Sequence, residues 1–132
     1  VGHIVTISSV LGLFGIQTRT AYSASKHALK GYFNSLRNEL FPTAVKVTLI
    51  YPGYVTTKVS QNAIDADGKP YGKIDEGHIK GISPADCAKR IVIAIEQDKA
   101  EVVIARFKEL MGVYVSRFLP ALFRHVSPRL DI

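Results

Sequence analysis

Between His3 and Ile7 the chain reads HIVTI, a short run of mostly apolar, β-branched residues. That is the pattern of a strand buried on both faces of a parallel sheet. From Ala21 to Phe41 the apolar spacing becomes helical. At about 100° per residue, Tyr22, Lys26, Leu29, Phe33, Leu36 and Leu40 fall within an arc of roughly 80° and predict one long helix with a single apolar stripe. Ala21, Ala24, Ala28, Gly31, Tyr32 and Ser35 lie beside that stripe and are nearly all small. Small residues let another backbone approach, so this helix is expected to pack twice, on its own sheet and on another helix. Ser23, His27, Lys30, Asn34, Arg37 and Asn38 make a third face, expected to be solvated. Pro42 stops the helix, because proline lacks an amide donor and disfavours helical geometry before it.

Val45 to Tyr51 (VKVTLIY) reads as a second strand, completing a right-handed strand, helix, strand crossover. Val10 to Thr20, with Gly12 and Gly15, reads as a loop that walls a pocket. Lys58 to Ile82 has little periodicity and is punctuated by Gly68, Pro70, Gly72, Gly77 and Gly81. So long a connection inside a compact domain points to a functional loop. Ser83 as N-cap, Pro84 at the first helical position and Asp86 near the positive end open another helix, with Ala88, Ile91, Val92 and Ile95 as its buried stripe. Glu101 to Ala105 (EVVIA) reads as a last short strand. Beyond it Phe107, Leu110, Met111, Tyr114, Phe118, Ala121 and Leu122 recur at helical spacing, among Arg106, Lys108, Arg117, Arg124 and Arg129. This tail is too short to cross a bilayer, and its amphipathic pattern suits a membrane surface, a partner, or packing on its own domain or across a dimer.

Strands that alternate with helices place the chain in the α/β class, with a parallel sheet. At 132 residues and 47% hydrophobic content there is material for one domain with a real core. The opening on Val1, directly before a strand, suggests the C-terminal part of a longer chain. The net charge of +6 comes from 17 basic and 11 acidic residues spread along the chain. It suits an anionic cofactor, substrate or membrane surface, and no nucleic-acid motif accompanies it. A lone cysteine, Cys87, excludes an internal disulfide and any multi-cysteine metal site, and fits a reducing compartment. Between Ala85 and Ala88 it reads as a small core residue. No metal site is expected: Asp65-Ala-Asp67-Gly68 starts like a calcium loop but lacks the remaining ligands. Glu76 and His78 read as exposed loop residues within reach of a substrate.

The chemistry concentrates between Ser8 and Lys26, SSVLGLFGIQTRTAYSASK. Lys26 lies on an apolar stripe, where an ammonium needs a partner or a wet pocket, so it is expected to face a cleft. Tyr-x-x-x-Lys alone also describes a helix whose lysine snorkels to water. Its context changes the balance. Thirteen residues before Tyr22 stands Ser9, at the end of the first strand, where open parallel sheets border their ligand crevice. Behind the second strand comes PGYVTT, Pro52 to Thr57.

The series ISS, YSASK and PGYVTT, in this order and spacing, resembles the short-chain dehydrogenase/reductase family. SSVLGLFGIQTRTAYSASKHALKGYFNSLRNEL and YPGYVTTKVSQNA resemble the branch that holds its members 7 and 7B. The resemblance implies a partial Rossmann-like, doubly wound parallel sheet, of which only the C-terminal strands and helices are represented. Residues 1–105 would form the C-terminal part of a nicotinamide-binding domain, with 58–82 as its substrate loop, and residues 106–132 an amphipathic tail.

The activity implied is hydride transfer between NADP or NAD, with NADP ahead, and a carbonyl or secondary alcohol, lipid-like in this branch. Tyr22 would be the acid and base, aided by Lys26, and Ser9 would hydrogen-bond the reacting oxygen; Ser8 is the alternative serine, which the family's thirteen-residue spacing disfavours. Tyr22, Lys26, Pro52, Gly53, Val55 and Thr57 would bind the nicotinamide half of the cofactor. The family's glycine-rich loop and its NAD or NADP selector precede the stretch seen here. A homo-oligomer, contact with a membrane surface and residence on the cytosolic face of the endoplasmic reticulum are further implications. The rival reading is a truncated, non-catalytic fragment that acts as an interaction or dimerisation partner. Under that rival reading, removal of Phe107 onwards is expected to abolish partner or liposome binding and to leave catalysis in the parent little changed.

Overall fold

Three strands, β1 (Gly2–Ile7), β2 (Val45–Pro52) and β3 (Glu101–Ile104), form one parallel sheet in the order β1-β2-β3. The computed structural model describes residues 1–58, 62, 64, 67–70, 72 and 80–129; Asp65, Glu76, Gly77 and His78 lie outside the described residues. Helix α1 (Thr20–Glu39) carries the chain from β1 to β2, and α2 (Pro84–Glu96) leads into β3. This is the α/β, Rossmann-like arrangement expected from the alternation of periods. Two helices follow, α3 (Phe107–Phe118) and α4 (Pro120–Val126). They break at Leu119, because the residue before a proline is driven out of the helical region.

The central strand is the most deeply buried element, with Val47 to Tyr51 at 5% exposure or less. Across it runs a polar ladder: Thr48 donates to the Lys99 carbonyl at 2.7 Å, and its hydroxyl meets the His3 ring at 2.8 Å. β1 departs from the expected burial on both faces. It is half-buried along most of its length and Ile7 is 45% exposed. It lies at one edge of the described sheet, and α1 packs mainly on β2 and on the turn after β1.

Two apolar clusters hold these layers together. Ile50, Cys87, Ala94 and Ile104 join the sheet to α2, with Val5, Val55, Ile82 and Ile91 around them. Val10, Leu11 and Phe14 form the second, with Val103, Ala105, Val113 and Phe123. The segment read as a pocket wall therefore contributes core, folded as a 3-10 turn at Val10–Gly12. Ser83 caps α2 as expected, accepting from the Asp86 amide at 3.1 Å. The α2 stripe is turned from the expected one: Cys87 and Ala94 are buried, and Ala88 and Val92 are exposed. Small side chains sit where the helix comes closest to the sheet.

The polar face of α1 is corrected too. Ser23 is buried, and Lys30, Asn34 and Arg37 are half-buried; only His27 and Asn38 of that set are exposed. Arg37 explains the inversion. Its guanidinium donates to the Val47 carbonyl at 3.0 Å, the Ala100 carbonyl at 2.7 Å and Asn34 Oδ1 at 2.5 Å. A long fork of donors can cover sheet carbonyls that an apolar side chain would leave unpaired. The small face of Ala21, Ala24, Ala28, Gly31, Tyr32 and Ser35 lies open in the single chain.

Candidate active site

Parallel pairing brings the ends of β1 and β2 side by side. Ile7 pairs with Ile50, and the Ser8 amide donates to the Ile50 carbonyl at 2.8 Å. Ser8 and Ser9 thus leave the sheet at the same carboxyl edge as Pro52 and Gly53, where such sheets hold their ligands.

The two serines have different tasks there. Ser8, 4% exposed, donates its hydroxyl proton to the Lys26 carbonyl at 3.0 Å, tying the strand end to α1. Gly12 keeps room for that tie: a Cβ on it would stand 2.5 Å from Ser8 Oγ and 2.8 Å from the Lys26 oxygen. Ser9 Oγ accepts from the Leu11 amide at 3.2 Å as cap of the 3-10 turn. A hydroxyl that accepts still has its proton to donate. Of the two, Ser9 is therefore the serine whose hydroxyl proton is given no acceptor among the described residues.

Lys26 and Tyr22 lie one turn apart on α1, with the ammonium 5.6 Å from the centre of the ring. Tyr22 is 46% exposed, so it stands at the rim of the buried stripe and not within it. Lys26 Nζ reaches back to the Ile7 carbonyl at 3.4 Å. That bond engages one of its three donors and holds the ammonium over the end of β1. Strand end, Ser8, Lys26 and Tyr22 make one connected assembly.

PGYVTT crosses to the other side of the sheet edge. The Gly53 amide donates to the Ile104 carbonyl at 2.9 Å, and the Tyr54–Thr56 stretch pairs with Ile82 through Thr56 N to Ile82 O at 2.9 Å and Ile82 N to Tyr54 O at 2.8 Å. Val55 packs against the first apolar cluster, and Thr57 is exposed. Glu109, from the first turn of α3, is a residue that sequence reasoning missed. It is 5% exposed and its Oε1 accepts from the Tyr54 amide at 3.3 Å. One signal was legible: it is the single acidic residue between Arg106 and Arg129.

The residues fit a nicotinamide as far as donors are concerned. Lys26 has hydrogen-bonding capacity to spare beyond Ile7, Ser9 keeps its proton, and the backbone after Pro52 is held by neighbours on both sides. Tyr51, next to this turn, is a different kind of phenol: burial, and then the neighbouring Glu101 carboxylate, push it well above the usual tyrosine range. It is fully buried and stays protonated.

Residues 1–68 match the family model described as short chain dehydrogenase, and the chain belongs to that family. Within it, the sequence is similar to the members of the 7B branch. It is 43% identical over 122 residues to "Dehydrogenase/reductase SDR family member 7B" of Mus musculus, covering 92% of this chain and 38% of the relative. It is equally similar, 43% over 122 residues, to "Dehydrogenase/reductase SDR family protein 7-like" of Anopheles gambiae, again across 92% of this chain and 38% of the relative. The chain thus spans well under half the length of these curated relatives. Among solved structures, a short chain dehydrogenase from Burkholderia cenocepacia in complex with NADP superposes with a TM-score of 0.71 at 21% identity, covering 94% of this chain and 46% of the other. A short chain dehydrogenase/reductase from Burkholderia phymatum in complex with NAD gives 0.70 at 21% identity, covering 91% and 48%. Both are likenesses of fold.

Proposed function

We propose that this chain carries the proton-handling half of a nicotinamide-dependent oxidoreductase acting on a carbonyl or secondary alcohol of a lipid-like molecule. The observation that carries the reading is the Tyr22–Lys26 pair, with the ammonium 5.6 Å from the ring and anchored to the end of β1. NADP, ahead of NAD, supplies or takes the hydride when bound. The residues of this chain do the rest. Tyr22 gives its phenolic proton to the oxygen as a carbonyl is reduced, and takes it back as an alcohol is oxidised. Ser9 donates a hydrogen bond to the same oxygen, stabilising negative charge as it develops there. The Lys26 ammonium stands 5.6 Å from the ring that handles the proton, and its remaining donors hold the ribose hydroxyls. Pro52, Gly53, Val55 and Thr57 line the nicotinamide, and residues 58–82 serve as the substrate-binding loop. Self-association through the open small-residue face of α1 completes the assembly.

Titration with NADPH and NADH, followed by nicotinamide fluorescence, tests the reading alongside turnover on a panel of carbonyl compounds. Binding together with oxidation that Tyr22→Phe abolishes is the expected result. Turnover that survives Tyr22→Phe, or no binding of either cofactor, would overturn it for this chain.

A further inference from the structure

We propose that the outward face of α3 docks on an anionic lipid surface. Its inward face is already occupied. Glu109 and Gly112 are buried, and a Cβ on Gly112 would stand 3.1 Å from the Phe14 ring. Phe123 of α4 meets the same ring edge-on, with centroids 5.6 Å apart. Seated this way, the helix turns its most apolar row to the outside. Phe107, Met111, Tyr114 and Phe118 are exposed by 76%, 42%, 52% and 71%. At about 100° per residue they lie within an arc of roughly 60°, so they form one row along the helix. Tyr114 and Phe118 stack along it at 6.3 Å.

The charges around this row decide its occupant. Lys108 and Arg117 fall about 90° to either side of it, where long basic side chains can reach lipid phosphates while the row enters the headgroup boundary. From Arg106 to Arg129 the segment has five Arg and Lys residues and one acid, Glu109, which is buried against Tyr54. Its exposed charge is therefore entirely positive. A second copy on the same row would bring like charges together, whereas anionic headgroups complement them. Leu119, Leu122 and Val126 add exposed apolar surface on and beside α4. The inference does not rest on the hydride-transfer reading.

Co-sedimentation of the purified chain with phosphatidylcholine vesicles, with and without phosphatidylserine, tests it. Binding to the anionic vesicles should exceed binding to the neutral ones by about tenfold or more and weaken with salt. Lys108→Gln with Arg117→Gln touches no buried contact, keeps the apolar row, and should weaken anionic binding by about fivefold per charge removed. Phe107→Ser with Phe118→Ser should weaken it by about tenfold or more, with an unchanged far-ultraviolet dichroism spectrum. Equal binding to both vesicles, no binding, or no loss in the charge variant would overturn the proposal. So would a dimer that forms without vesicles and dissociates on Phe118→Ser.

Discussion

Glu109 on α3 and Tyr54 in the turn after β2 are joined by a hydrogen bond of 3.3 Å from the Tyr54 amide to the buried carboxylate. The bond ties the C-terminal helices to PGYVTT, and its other carboxylate oxygen, Oε2, is buried without a hydrogen-bond partner among the described residues. Removal of the tail therefore reaches the turn that is proposed to line the nicotinamide, which revises the expectation that turnover tolerates it.

Glu109→Ala removes the carboxylate to which the Tyr54 amide donates. A loss of about 0.5 to 3 kcal/mol in folding stability is expected, the usual range for losing one intramolecular hydrogen bond, larger when one partner is charged. Glu109→Gln keeps an acceptor oxygen and should recover most of that loss. Denaturant melts give the stability. Nicotinamide affinity should fall in the same order, Ala more than Gln; if it does not move, Glu109 acts on the fold alone.

Gly12→Ala places a methyl group 2.5 Å from Ser8 Oγ and 2.8 Å from the Lys26 carbonyl. Both neighbours belong to the join between β1 and α1, and the second is backbone, so neither yields easily. The expected cost is about 1 to 3 kcal/mol. Thermal melts measure it. Ser8→Ala in the same background should partly relieve the clash, since the nearer of the two atoms is removed.

Cys87 offers a test that depends on pH. Burial raises its thiol above the ordinary range, opposed by the Arg90 charge. The folded state therefore holds the thiol proton more tightly than the unfolded chain. The stability this contributes is fully present below the unfolded thiol's value, near 8.5, and is lost as pH rises through that value toward the folded one. Denaturation midpoints should fall more steeply over that window for the native chain than for Cys87→Ala. Parallel curves would show that the thiol does not titrate differently in the two states.

Local chemistry was legible without the fold. The strands around HIVTI and VKVTLIY, the long helix, the Ser83-Pro84 start of α2 and the order of ISS, YSASK and PGYVTT all depend on residues a few positions apart. Period and capping are properties of neighbours in the chain, and so they can be read from it. The family followed from the same motifs.

Which face of an element is covered is settled by partners far away in sequence. Arg37 turned a polar face of α1 inward because its guanidinium reaches carbonyls at Val47 and Ala100, the second of them 63 residues distant. Phe14, read as part of a loop, became the seat on which Gly112 and Phe123 rest. That seat chose the inner face of α3 and left Phe107, Met111, Tyr114 and Phe118 outside. The same spacing of apolar residues would have served either orientation. Only the tertiary contacts distinguish them, because a helical period defines a stripe and says nothing about what meets it.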